Sequence, residues 1–263
     1  MTSSEVIAYY SVIHKGDWES IWDSLHSQNE LDEEEVRKVL KSIKSKWVTV
    51  MDDDYPEQLK SIYRPPYTLF YHGDLSIISN KYKGISVVGA RENTRYGAAV
   101  TRNLVRKLSK ELYVVSGMAR GIDGIAHRTC IEVGGKTVCV LGCGINVCYP
   151  VSNLDIYDEA KKHHLIISEY PNCTQPCPAY FPIRNRIIAG LTNCLLVTEG
   201  KKRSGTSITA TVTLQNGGNV CCVPTKIQTD SICNHLIAYG ARLVETVDDI
   251  YDEMGYSKSE PIF

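Results

Sequence analysis

Two patterns of apolar residues alternate along the chain from Gly84 onward. Runs of four to six mostly apolar residues, typical of buried strands, are separated by stretches with apolar residues every three or four positions, typical of helices. Strict alternation predicts a mainly parallel sheet with helices on both faces, a doubly wound α/β fold. The predicted strands are Ile85–Ala90, Tyr113–Ser116, Thr137–Leu141, Leu165–Ser168, Cys194–Thr198, Val220–Val223 and Ala241–Val244. The predicted helices are Tyr96–Lys110, Ile122–Val133, Asn153–Lys162, Pro182–Leu191, Thr206–Gln215 and Ser231–Tyr239.

The residues before Gly84 follow a different pattern. Apolar residues at helical spacing predict a small helical module over residues 1–46. Prolines interrupt residues 47–83, which we expect to form a connector packing on the main domain, with a short strand over Thr68–Tyr71. The main domain is expected to cover 84–254 and a tail 255–263.

Four turns of similar chemistry follow predicted strands. In the first, Ser116-Gly117 and Arg120-Gly121 lie between a strand and a helix, where backbone N–H groups and the helix N-terminus attract anions. A glycine-containing turn often binds nothing, but similar residues recur at 89–91, 181–186 and 203–206. Ligands of parallel sheets bind beyond the carboxyl ends of the strands. We therefore expect the four turns to converge on one anion-binding edge.

Two arginines are expected in the first turn of a helix, at Arg184 and Arg186. Positive charge is unfavourable at a helix N-terminus, so an anion should offset it. The anion is either a bound phosphate or, as an alternative, the carboxylate of Glu169 or Glu199.

Composition and missing motifs exclude several classes of protein. The 263 residues include ten cysteines, several of them inside apolar strands, and no CxxC or HxxxH pair, so we expect neither a disulfide framework nor a metal site. The sequence has no GxGxxG and no Walker A motif, which argues against a dinucleotide cofactor or an ATPase. No apolar run reaches the ~18 residues of a membrane span and no signal peptide is evident, so we expect a cytoplasmic protein without membrane contact.

The net charge of −1 conceals an uneven distribution. Residues 1–60 hold thirteen acidic and seven basic side chains, whereas residues 90–130 hold eight basic and three acidic ones. Local basic charge is compatible with a polyanionic partner. The arginines and lysines at 102, 106, 107 and 110 are instead expected on an ordinary solvated helix face.

The motifs resemble, in order, those of the DNA-processing protein A family (DprA, also called Smf). They are VVGARENTRYG, VSGMARGIDGIAHR, VLGCGINVCYP, SEYP, FPIRNRIIAGL, EGKKRSGTSITA and NHLIAYGA. The resemblance implies a Rossmann-like domain that binds single-stranded DNA without sequence preference, dimerises, and loads the recombinase RecA during natural transformation, with no catalytic activity. Many members also carry a C-terminal winged-helix domain, which we do not expect in the residues up to Phe263. Pro224-Thr225 departs from the family's usual Pro-Gly.

The resemblance also implies which residues contact DNA. Arginines at 91, 120, 184 and 186 would neutralise phosphates, and Phe181 would stack on a base. The full expected set is Gly89, Arg91, Ser116, Gly117, Arg120, Gly121, Phe181, Arg184, Asn185, Arg186, Lys202, Ser204, Gly205 and Thr206.

Two other functions remain open. Nucleotide phosphoribohydrolases resemble this domain in outline, and Asp123 and His127 could form an acid–base pair, although the glutamate of that family's PGGxGTxxE signature is missing. An adaptor that senses a free nucleotide would use the same anion site. We also expect a homodimer formed through residues 232–237 and 243–244, because an apolar sheet edge tends to be covered.

Overall fold

The computed structural model describes residues 1–27, 30–227 and 230–256. The nine strands found there are β1 Lys46–Thr49, β2 Thr68–Gly73, β3 Gly84–Gly89, β4 Tyr113–Ser116, β5 Thr137–Val140, β6 Leu165–Ser168, β7 Cys194–Glu199, β8 Asn219–Cys222 and β9 Arg242–Leu243. The eleven α-helices found there are α1 Ser3–Ile13, α2 Trp18–His26, α3 Glu33–Lys41, α4 Glu57–Lys60, α5 Arg95–Leu108, α6 Ile122–Glu132, α7 Leu154–His163, α8 Tyr180–Leu191, α9 Gly205–Gln215, α10 Ile232–Ala238 and α11 Val247–Glu253.

The strands form one sheet in the order β1-β2-β6-β5-β4-β3-β7-β8-β9. All pairs from β6 to β9 are parallel, so the predicted Rossmann-like α/β fold is confirmed. Starting from β3, the strands β4, β5 and β6 are added one after another toward one edge of the sheet. Strands β7, β8 and β9 are added toward the other edge. The strand order therefore reverses between β3 and β7, which creates a crevice beyond their carboxyl ends.

The connector contributes two strands to this sheet instead of only packing on it. β1 pairs antiparallel with β2, and β2 pairs antiparallel with β6, bringing Phe70 opposite Ser168. The boundary that we expected between residues 46 and 47 falls inside β1. The expected short strand at Thr68–Tyr71 is present and continues to Gly73.

Apolar side chains alternate between the two faces of the sheet because successive strand residues point to opposite sides. On one face Val88, Val115 and Val197 pack with helices α8, α9 and α10. On the other face Ile85, Val87 and Val114 pack with α5, α6 and α11.

The three N-terminal helices enclose a small core of their own. Tyr9 and Tyr10 of α1 pack with Ile21 of α2 and Val36 of α3. Asp17 and Asp32 cap α2 and α3 by accepting hydrogen bonds from backbone N–H groups of the first turn. The predicted helical module is therefore present. Within the described residues no helix is long and apolar enough to cross a membrane.

Candidate nucleic-acid interface

A cavity of about 570 Å³ lies at the point where the strand order reverses. It is lined by the loops that follow β3, β4 and β7 and by the start of helix α8. The four segments that we expected to converge therefore meet at this cavity. Nine of the predicted residues line this cavity, namely Gly89, Arg91, Arg120, Phe181, Arg184, Asn185, Ser204, Gly205 and Thr206. The other five, Ser116, Gly117, Gly121, Arg186 and Lys202, lie outside its lining.

Two arginines stand at the mouth of the cavity with exposed side chains. Arg91 follows β3 and Arg120 follows β4. Within the described residues neither guanidinium has an ion-pair or hydrogen-bond partner, although Arg91 lies over the ring of Phe181 at 5.5 Å from its centroid. An exposed guanidinium that is not used by its own chain is free to bind a phosphate bidentately.

An aromatic pair lies beside Arg91. The ring of Tyr149 is 5.5 Å from that of Phe181, centroid to centroid, and tilted by 31°. Phe181 is half-buried, whereas Tyr149 is exposed. The sequence analysis included Tyr149 only in the family motif VLGCGINVCYP, and it missed this residue as part of the cavity.

The turn after β4 is held rigid by buried groups. Asp123 of α6 accepts hydrogen bonds from the backbone N–H groups of Gly117 at 3.2 Å and Ala119 at 3.4 Å. Between them Met118 has a φ of 56° and is fully buried, a backbone conformation that is unusual for a residue with a side chain. The Ser116 hydroxyl donates to the Val87 carbonyl at 2.6 Å. Ser116 is therefore a structural residue rather than a ligand of an anion.

The glycines of this turn allow close approaches. A Cβ atom at Gly117 would lie 2.5 Å from an Arg184 nitrogen. Gly121 has a φ of 75°, and a Cβ there would lie 2.2 Å from the Ala90 carbonyl oxygen. Both positions therefore require glycine, because a side chain would push the turn away from β3 and from α8.

Arg184 forms the floor of the cavity and is 3% exposed. Its Nη1 donates to the carbonyl oxygens of Gly117, at 2.7 Å, and Val140. Burial lowers the pKa of Arg184 and raises the pKa of Asp123, and in each case the attraction of the other group opposes the effect of burial. The Arg184 charge is therefore already partly used inside the protein.

The expectation that Arg186 is available to a phosphate is wrong. Arg186 is 7% exposed, and its Nη1 and Nη2 donate to the two carboxylate oxygens of Glu169 at 2.7 and 2.6 Å. Its Nε donates to the carbonyl oxygen of Arg64 at 2.9 Å. The alternative of an internal ion pair with Glu169 is thus correct. Helix α8 begins at Tyr180, so both arginines lie in its second turn, away from the unfavourable N-terminus.

The N-terminus of α5 is occupied by a carboxylate of the protein. Glu199, at the end of β7, accepts hydrogen bonds from Thr94 N at 3.0 Å and Thr94 Oγ1 at 3.0 Å. Thr94 in turn caps the helix by accepting a hydrogen bond from Gly97 N at 3.1 Å. A bound phosphate would therefore compete with Glu199 at this helix end.

The N-terminus of α9 opens into the cavity. The cavity is lined here by Ser204, Gly205 and Thr206. Asn185 links α8 to α9, because its Nδ2 donates a hydrogen bond to the Gly205 carbonyl at 3.2 Å. The 11-residue helix directs its first N–H groups and the positive end of its dipole toward the cavity. Lys202 is exposed outside the lining, and its neighbour Lys201, which was not predicted, lies inside it.

Asp123 and His127 are not joined by a hydrogen bond. His127 is fully buried, and its Nδ1 lies 2.7 Å from Thr137 Oγ1. Because the Thr137 hydroxyl donates to the Val114 carbonyl, His127 Nδ1 is the donor of this bond, and Nε2 has no hydrogen-bond partner in the described part of the chain. Burial lowers the pKa of His127 to about 3, so the imidazole is neutral.

The described residues contain no group of three or more His, Cys, Asp or Glu side chains that could hold a metal ion. All ten cysteines are free thiols, and seven of them are buried. Burial raises the pKa of Cys130 to about 11 and that of Cys143 to about 11. These thiols pack as small apolar side chains.

Comparison with known proteins identifies the family. Residues 46–255 match the model of "DNA recombination-mediator protein A". The chain is 40% identical over 211 residues to the DNA processing protein DprA of Streptococcus pneumoniae, covering 79% of this chain and 74% of that protein. It is 39% identical over 210 residues to DprA of Bacillus subtilis, covering 79% of this chain and 70% of the other.

Solved structures agree with the sequence comparison. The crystal structure of DprA from S. pneumoniae superposes with a TM-score of 0.80 at 34% identity, covering 95% of this chain and 93% of that one. DprA from Helicobacter pylori, whose structure concerns its single-stranded DNA binding mode, shares the fold with a TM-score of 0.72 at 23% identity, covering 80% of this chain and 95% of that one. The chain belongs to the DprA/Smf family of DNA recombination mediators.

Proposed function

We propose that the cavity between β3 and β7 binds single-stranded DNA without sequence preference. The observation that carries this proposal is the pair of exposed guanidiniums of Arg91 and Arg120, which have no ion-pair or hydrogen-bond partner among the described residues, beside the aromatic rings of Phe181 and Tyr149. Cations that meet backbone phosphates and rings that stack on bases are what such binding requires. The H. pylori relative, whose structure concerns its single-stranded DNA binding mode, supports the same function.

The arrangement of Asp123 and His127 favours this function over sugar hydrolysis. The Asp123 carboxylate is used by two backbone N–H groups, and the His127 imidazole bonds Thr137 instead of facing the cavity lining. Asp123 lines the cavity, but it makes no hydrogen bond to His127, which lies outside the lining, so the two residues do not form an acid–base pair there. Binding without catalysis is therefore the function that we propose, with a free nucleotide as the competing ligand.

The wider role that we propose is the protection of incoming single strands and the loading of RecA during transformation, with the protein acting as a homodimer in the cytoplasm. Membership of the recombination-mediator family supports the role. The dimer would use α10 and β9, because β9 is an edge strand of the sheet and Leu243 and Tyr239 there are 40% and 80% exposed.

The first experiment is a titration of the purified protein with a dT oligomer, the matching duplex and a panel of mononucleotides at several salt concentrations. Single strands should bind more tightly than duplex, and log affinity should fall by about 0.7 per phosphate neutralised for each unit of log salt. Preference for duplex, or binding that ignores salt, would refute the proposal. Tight binding of one mononucleotide would favour the sensor.

Two arginine variants test whether the cavity is the site. Arg91→Ala should weaken binding about tenfold or more, because it removes a charge-assisted bond, without lowering thermal stability. Arg106→Ala is the control: this arginine is 55% exposed on α5 and pairs with Glu132 at 3.5 Å, away from the cavity. Equal losses in both variants would mean that binding is diffuse charge attraction.

Light scattering tests the dimer, with Leu243→Lys as the disrupting variant. The wild type should be a dimer at tens of micromolar and the variant a monomer. A wild type that stays monomeric at all concentrations would contradict the dimer without affecting the DNA site. RecA loading is tested by measuring whether the protein speeds RecA filament formation on single strands coated with a single-strand-binding protein.

A further inference from the structure

Phe181 has close neighbours around its ring. The Arg91 guanidinium carbon lies 5.5 Å from its centroid, and the Tyr149 ring lies at the same centroid distance of 5.5 Å. The backbone of Gly142 approaches so closely that a Cβ there would stand 2.7 Å from Phe181 Cδ1. A base that stacked on Phe181 would have to displace one of these neighbours.

Tyr149 offers the more accessible aromatic surface. Its side chain lines the cavity and is 45% exposed. Two apolar residues that follow it in the chain, Val151 and Leu154, are also exposed, at 73% and 46%. The Tyr149 hydroxyl makes no hydrogen bond to any residue that the structure describes.

We propose that a base of the bound single strand stacks on Tyr149 at the rim of the cavity, with Phe181 supporting the tyrosine ring from behind. This inference rests on the proposed single-stranded DNA binding. Arg91 lines the same cavity and contacts Phe181, so a phosphate bound there would lie close to a base on Tyr149. Stacking on a ring face is open to every base, so the contact adds affinity without sequence preference.

The experiment compares Tyr149→Ala, Tyr149→Phe and the wild type. Each protein is titrated with a dT oligomer of about 20 nucleotides and with an abasic oligomer of the same length, which keeps the phosphates and lacks the bases. Tyr149→Ala should bind the dT oligomer about fivefold or more weakly, the loss expected when one stacking platform is removed, and bind the abasic oligomer as the wild type does. Tyr149→Phe should match the wild type on both.

The control is Tyr82→Ala, which removes a tyrosine of similar exposure, 54%, just before β3 at the opposite edge of the sheet. It should leave both affinities unchanged. A second readout uses an oligomer with 2-aminopurine, whose fluorescence falls on stacking: the wild type and Tyr149→Phe should quench it, and Tyr149→Ala should quench it less.

These measurements distinguish base stacking on Tyr149 from single-stranded DNA binding as such. If Tyr149→Ala binds the dT oligomer as the wild type does, or loses as much affinity for the abasic oligomer, stacking on Tyr149 is overturned while single-stranded DNA binding stands. If the wild type binds neither oligomer, the proposed function and this inference fall together.

Discussion

Removing the buried Arg184 guanidinium should damage the fold more than any substitution at the mouth of the cavity. Arg184→Met keeps much of the side-chain volume but leaves the Gly117 and Val140 carbonyls without this donor. It also leaves Asp123, which is 7% exposed, without its opposite charge. Leaving two buried carbonyl acceptors without a donor costs about 1–3 kcal/mol each, which for a chain of this size lowers Tm by on the order of 10 °C.

This result would differ from what we expected from the sequence, where Arg184 was assigned to a DNA phosphate. Unfolding in urea is the assay, since it gives a free energy at each pH. Arg106→Ala is the control and should change stability by about 0–1 kcal/mol, as for other exposed ion pairs.

The dependence on pH gives the sharper test. Burial raises the pKa of Asp123 and the Arg184 charge lowers it, so without the arginine the pKa rises further. A carboxyl whose pKa is higher in the folded state stabilises the fold below its unfolded pKa, and that contribution is lost as pH rises through the folded pKa. Arg184→Met should therefore lose more stability at pH 8 than at pH 5, and Asp123→Asn should restore part of it. An equal loss at both pH values would refute the pairing of these two charges.

Three further outcomes are expected. As pH falls from 6.5 to 5, the unfolded chain protonates His127 while the buried imidazole, whose pKa is lowered to about 3, stays neutral, so the free energy of unfolding should fall by roughly 2 kcal/mol. His127→Leu should remove this dependence, and an unchanged slope in that variant would contradict the assignment. Gly97→Ala should destabilise α5 by about 1–3 kcal/mol despite alanine's helix propensity, because its Cβ would stand 1.9 Å from Glu199 Oε2 and displace that carboxylate. Gly205→Ala is its control, since the nearest atom would be 3.7 Å away, and urea melts should show little change.

Local patterns were sufficient for most elements of the main domain, although helix α11, Val247–Glu253, was not predicted. The strand at Tyr113–Ser116 and the helix start at Ile122 agree to the residue with the structure, because the apolar spacing of each element is set by its own contact with the core. The position of the connector strands β1 and β2 within the sheet could not be predicted in this way. The partner of Phe70 is Ser168, nearly a hundred residues later, and no local pattern specifies a pairing over that distance.

The roles of the arginines show a similar limit at the site. Arg91 and Arg184 carry the same charge and both follow from the motifs, yet one is exposed and the other is 3% exposed. Stacking of Tyr180 on Tyr170 at 4.4 Å accompanies a helix start at Tyr180, two residues before the predicted one, which places Arg184 in the second turn. Such tertiary contacts determine which arginine is exposed to solvent. The residue type fixes the charge of a side chain but not whether the side chain points to solvent or into the protein.

The bonds of Arg184 to Gly117 and Val140 limit how this site can change in evolution. The same hydrogen bonds form the cavity floor and hold the ends of β4 and β5 in place. A substitution of Arg184 that changed DNA affinity would therefore also reduce the amount of folded protein. The residues at the mouth of the cavity, Arg91, Arg120 and Tyr149, are exposed, so their substitution should change the stability of the fold little. Natural variation in DNA affinity among related sequences should therefore be concentrated at the mouth, while the floor is inherited with the fold.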